Sequence, residues 1–147
     1  MTFAKPDPVL LDQFESDWRR LSPHGREWAY CVSQWSSGTT QDGDTVYLAR
    51  KADLIPAESK RSSMRGFDCV SADGTLLPIA HAHPGGDCSP SRADAATAIG
   101  QWNVPFALIL CGPRSTVGYS GRQFELMLRG RLWELQTSAA IQNTFRD

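Results

Sequence analysis

The chain has 147 residues, 41% of them apolar and 10% aromatic, which is enough for one domain around one core and too little for two. Its formal net charge of -1 offers no basic footprint for a phosphate backbone, so nucleic acid is not an expected partner. Met1 to Pro8 lacks a basic run leading into an apolar stretch, and no apolar run reaches membrane-spanning length; no membrane association is expected, and the expected location is cytoplasmic.

Asp7-Pro8 reads as an N-cap with proline at the first helical position, and Leu10, Phe14, Trp18 and Leu21 follow at helical spacing. An amphipathic helix is predicted there, broken by Ser22-Pro23-His24-Gly25, with His24 a solvated turn residue. Glu27 to Trp35 is rich in aromatic and β-branched residues and predicts a strand. Thr45 to Ala49 predicts a second, after the turn Gln41-Asp42-Gly43-Asp44. Pro56 to Gly66 is polar, basic and serine-rich, as an exposed loop would be. Phe67 to Val70 and Leu76 to His83 read as strands around an Asp73-Gly74 turn, the second starting irregularly at Pro78.

Pro84 to Pro90 carries the marks of irregular backbone, and Ser91 to Asn103 resumes helical spacing through Ala95, Ala98, Ile99 and Trp102. Pro105 to Cys111 is a nearly continuous apolar run, expected to be a central strand buried on both faces. Phe124 to Leu128 and Leu132 to Leu135 suit strands better than a helical face, and Thr137 to Asp147 suits a short helix or a loose end. The pattern is a single α/β domain with a strand, loop and helix at its centre.

Cys31, Cys69, Cys88 and Cys111 form no Cys-x-x-Cys pair, which excludes a zinc knuckle or a thioredoxin-like motif. Cys31, Cys69 and Cys111 lie in apolar strand-like runs and are expected to be buried thiols. Cys88, in the Pro84 to Pro90 loop, reads as a passive loop residue, with lining a pocket or responding to oxidation as the alternatives.

Two of the chain's three histidines, His81 and His83, alternate on one strand and therefore point to one face, where both imidazoles can reach a single ion. Zinc in a catalytic site takes three protein ligands and leaves the fourth position to solvent. Asp94, one helical turn after Ser91, can supply the third. Alone, a His-x-His pair is more often incidental, and Ser91-x-x-Asp94 is an ordinary capping box. Together, at the end of an apolar strand and before a Pro-Gly loop, they are more specific.

His81-Ala82-His83-Pro84 followed by Ser91-Arg92-Ala93-Asp94 resembles the signature of the JAMM (JAB/MPN) metalloproteases, deubiquitinase-like bacterial members included. The resemblance implies a JAB/MPN-like domain over 1–147, a mixed β-sheet flanked by helices with cytidine-deaminase-like topology. It also implies Zn²⁺ held by His81, His83 and Asp94, with Ser91 helping to hold an oxyanion and a glutamate acting on the zinc-bound water. The matching glutamate is Glu27, although Tyr30 departs from the family's Glu-x-x-Gly pattern. The implied activity is hydrolysis of a peptide or isopeptide bond at the tail of a ubiquitin-like protein or its conjugate. Lys60, Arg61 and Arg65 are placed to steer such a partner, or form an ordinary solvated surface.

The alternative is a catalytically silent MPN-type scaffold. A zinc nucleoside deaminase would need His-x-Glu and Pro-Cys-x-x-Cys, which are missing, and an amidohydrolase barrel would need about 250 residues.

Overall fold

The first helix is held at its start by the residues that announce it in sequence. The Asp7 carboxylate accepts from the Leu10 backbone N–H at 2.8 Å, and Pro8 occupies the first turn, where its missing N–H costs nothing. The Asp7 backbone N–H also donates to the Ala49 carbonyl, which anchors the helix entrance to the sheet. The computed structural model describes residues 2–55, 69–89 and 104–120. Within them lie strand β1 (Thr2–Pro6), helix α1 (Pro8–Leu21), a 3-10 turn (Ser22–His24), and strands β2 (Ala29–Thr39) and β3 (Thr45–Leu54). Strands β4 (Ile79–Ala82), β5 (Phe106–Gly112) and β6 (Ser115–Ser120) follow.

The six strands form one mixed sheet in the order β1-β3-β2-β4-β5-β6. β2 pairs antiparallel with β3 and β4, β5 pairs antiparallel with β6, and β1–β3 and β4–β5 are parallel. A parallel neighbour cannot be reached by a tight turn, so the chain must cross over between Ala82 and Phe106. That crossover begins with the histidine-bearing loop.

Alternation along the central strands sorts side chains onto two faces. Trp28, Tyr30, Val32, Ala80, Ala82, Phe106, Leu108 and Leu110 form one apolar layer under Leu10 and Phe14 of α1. The Phe14 and Tyr30 rings lie 4.8 Å apart, and Trp18 meets Trp28 edge-on at 5.5 Å. Strict alternation would turn Trp35 away from this layer. Register shifts between Val32, Gln34 and Trp35 bring it back, and it packs edge-on against Phe106 at 6.2 Å. The other face carries His81, Ile109 and Val117, side by side in register and all buried.

Several expectations change. β1 and β6 were not read from the sequence, and β2, β3 and β4 have different limits: β4 is confined to Ile79–Ala82, and Val70 and Leu76 share only an isolated bridge. The Gln41 to Asp44 and Asp73-Gly74 turns are present, with Gly43 and Gly74 at positive φ. Among the described residues the protein is sheet-rich with one α-helix, so the expectation of a sheet flanked by several helices rests on Ser91–Asn103 and the C-terminal segment, which lie outside them. The segment from Pro56 to Gly66, the first half of the expected Phe67 to Val70 strand, and the strands expected at Phe124–Leu128 and Leu132–Leu135 lie outside them too.

The buried-thiol expectation is corrected outright. Cys31 is joined to Cys69 and Cys88 to Cys111, with Cα–Cα separations of 5.4 and 5.1 Å, and no cysteine is free. Spacing in sequence cannot disclose such pairs, because each is created by the sheet: Cys111 follows Leu110, whose parallel partner is Ala82 at the mouth of the Cys88 loop.

Candidate metal centre

His81 and His83 take their positions from the two strands beside β4. Ala29 pairs with His81 across the antiparallel β2–β4 ladder, and His81 pairs with Ile109 across the parallel β4–β5 ladder. The ladder continues past the strand ends: the Ala82 N–H donates to the Trp28 carbonyl at 2.9 Å, and the His83 N–H to the Leu110 carbonyl at 2.8 Å. Extending the Ala29–His81 register by two residues sets Glu27 across from His83 on the same face. One Glu27 carboxylate oxygen indeed lies 3.7 Å from His83 Nε2.

The two imidazoles meet at their Nε2 atoms, 3.0 Å apart, with ring centroids at 4.8 Å and planes near perpendicular. His83 Nδ1 lies 2.8 Å from the Asp87 backbone oxygen. A carbonyl only accepts, so Nδ1 carries the proton, and in the neutral ring Nε2 keeps its lone pair toward His81. That is the state a metal-ligating histidine needs, with its other nitrogen held by an outer partner. Two nitrogens on one tetrahedral zinc stand about 3.3 Å apart at ordinary bond lengths, close to the separation found here. His81 is buried, and the His83 and Glu27 side chains are 11% and 25% exposed, so the groups are screened from water yet reachable.

The loop after His83 is tied down at several points. The Gly86 N–H donates to the His83 carbonyl at 2.9 Å with Gly86 at positive φ, and the Ser89 N–H donates to the Asp87 carboxylate at 2.9 Å. The Tyr119 hydroxyl donates to the Cys88 carbonyl at 2.7 Å. Burial, and then the nearby Asp87 charge, push the Tyr119 hydroxyl pKa well above its ordinary value, so Tyr119 stays a neutral donor. Tyr119 and the Cys88–Cys111 bond are supports that sequence reasoning missed. Neither has a local signal, since both reach the loop from strands read only as apolar or not read at all.

Glu27, His81 and His83 are thus brought together, while Ser91 and Asp94 lie outside the described residues. Among the described residues no group of three or more His, Cys, Asp or Glu is arranged to hold a metal ion. His83 is in the tautomer a cation ligand needs, and the two Nε2 atoms stand near the spacing of two nitrogens on one cation; a three-ligand site would need its third ligand from elsewhere. Also among the described residues, no helix is long and apolar enough to cross a membrane.

No protein-family profile matches the sequence, and no curated protein matches it. Among solved structures, the chain is similar to a JAB1/MPN domain protein from Archaeoglobus fulgidus, at 14% identity and a TM-score of 0.43. The likeness covers 82% of this chain and 90% of that one.

Proposed function

We propose that the chain is a single-domain, zinc-dependent peptidase of the JAMM type, with the metal held by His81, His83 and Asp94. The observation that carries the proposal is the facing pair of Nε2 atoms, 3.0 Å apart, with His83 locked as the Nδ1–H tautomer and Glu27 beside it. Asp94 completes the set from sequence, eleven positions after His83. A zinc ion bound there would act as a Lewis acid and bring a water's pKa down toward neutrality.

The chain's own groups then divide the work. Glu27, across the ladder from His83, accepts a proton from the attacking water and passes it to the departing amine. The Ser91 hydroxyl donates to the developing oxyanion, a contribution of about 3–4 kcal/mol where such donors have been removed from other enzymes. The Asp87 carbonyl keeps His83 facing the site. The substrate we favour is a peptide or isopeptide bond at the extended tail of a ubiquitin-like protein or its conjugate, with Lys60, Arg61 and Arg65 steering an acidic partner.

The test is cleavage of ubiquitin-like fusions by the purified chain with and without a chelator, beside the variant Glu27→Gln. Chelator-sensitive cleavage that Glu27→Gln abolishes without loss of zinc is the expected result. Full zinc occupancy with no cleavage of any fusion would instead favour a non-catalytic scaffold.

A further inference from the structure

We propose that the Cys88–Cys111 disulfide is a redox lock on His83, so that opening it loosens the candidate metal centre. The consequence for metal rests on the function proposed above; the effect on His83 does not. Cys88 directly follows Asp87, whose carbonyl fixes the His83 imidazole. Cys111 directly follows Leu110, whose carbonyl accepts from the His83 backbone N–H. The disulfide therefore closes a small ring that has His83 on its circumference, tied once through its side chain and once through its main chain.

Besides the disulfide, the loop is held by hydrogen bonds from the Gly86 N–H to the His83 carbonyl, from the Ser89 N–H to the Asp87 carboxylate and from the Tyr119 hydroxyl to the Cys88 carbonyl. Gly85, Gly86, Asp87 and Ser89 are exposed, and a segment with few buried apolar contacts opens at low cost. The two disulfides differ in this respect. Cys69 is fully buried, and its carbonyl accepts from the Leu77 N–H, which makes Cys31–Cys69 a packed structural crosslink. Cys88 is half-buried between exposed neighbours, where a thiol can reach it.

The reductant is a dithiol. One of its thiolates attacks the Cys88 sulfur and expels the Cys111 thiolate, leaving a mixed disulfide; its second thiol then displaces Cys88 and closes the reductant into a cyclic disulfide. Two electrons and two protons have passed to the protein, which ends with two thiols. Asp87 is then held less firmly opposite Nδ1, and His83 exchanges tautomers more readily. Losing such an outer-shell partner lowers metal affinity about 10–100-fold in known sites.

The experiment uses the full chain. A non-reducing peptide map establishes the crosslink, imidazole nitrogen NMR reads the His83 tautomer without metal, and competition with a chromophoric chelator gives zinc affinity. These are compared in the wild type, in the double variant Cys88→Ala/Cys111→Ala, and in Cys31→Ala/Cys69→Ala before and after dithiol treatment, each checked for native circular dichroism. The lock predicts a single Nδ1–H form in the oxidised wild type. It predicts exchange between forms, with zinc affinity down about tenfold or more, once Cys88 and Cys111 are unlinked by either route. An unchanged His83 tautomer in Cys88→Ala/Cys111→Ala, or a peptide map without the crosslink, overturns it. A wild type that takes up no zinc removes the peptidase reading alone, and the tautomer comparison still decides the lock.

Discussion

The Glu27 carboxylate lies beside His83, 3.7 Å from its Nε2 and on the side where His81 also points. Replacing it by glutamine preserves shape and removes the base of the proposed mechanism. Glu27→Gln should retain zinc and lose about 100- to 10,000-fold in turnover, the usual worth of a general acid–base group, as read by steady-state cleavage kinetics and metal analysis. On the opposite face, Tyr30 donates to Asp17 at 2.7 Å and accepts from Trp28 Nε1 at 3.0 Å. Burial first, and then the hydrogen bond to Asp17, hold its pKa far above the ordinary 10.0. Because the folded-state pKa is raised, the stabilisation is complete below the unfolded value and falls as pH climbs beyond about 10. Tyr30 and Tyr119 should therefore ionise only together with alkaline unfolding. Their tyrosinate absorbance appearing while circular dichroism is still native would contradict this.

Between elements, β1 and β6 lie at opposite ends of the strand order yet are in contact. A Cβ at Gly118 would collide with the Ala4 backbone oxygen and Cβ, so glycine is required for the sheet to curl this far. Gly118→Ala should cost about 1–3 kcal/mol, the range for forcing atoms into a filled space, measured by denaturant unfolding. The same contact explains why β1 and β6 were not legible in sequence: Thr2–Pro6 contains Lys5 and a closing proline, and Ser115–Ser120 is interrupted by Gly118. Neither alternates cleanly, and both are strands because a neighbour completes them. Where local chemistry decides, the sequence was readable: the Asp7-Pro8 cap, the apolar β5 and the His-x-His alternation needed no tertiary information. The proximity of Glu27 to His83 followed from family resemblance, and its physical origin, the β2–β4 register, became visible only in the sheet. The disulfides were illegible because they join residues 38 and 23 positions apart that only the strand order brings together.

For the molecule as a whole, both disulfides involve central strands next to the histidine strand, Cys31 on β2 and Cys111 on β5. Such bonds persist in oxidising compartments and are rare in the cytosol, so they pull against the expectation of a cytoplasmic location. In the proposed function, His81, His83 and Asp94 bind one zinc ion. That binding is tested most directly by zinc titration of the full chain beside His81→Ala and Asp94→Ala. One tightly held equivalent is expected in the wild type, and its loss in both variants. A wild type that binds no zinc, or an Asp94→Ala protein that binds it with unchanged affinity, would contradict the proposal.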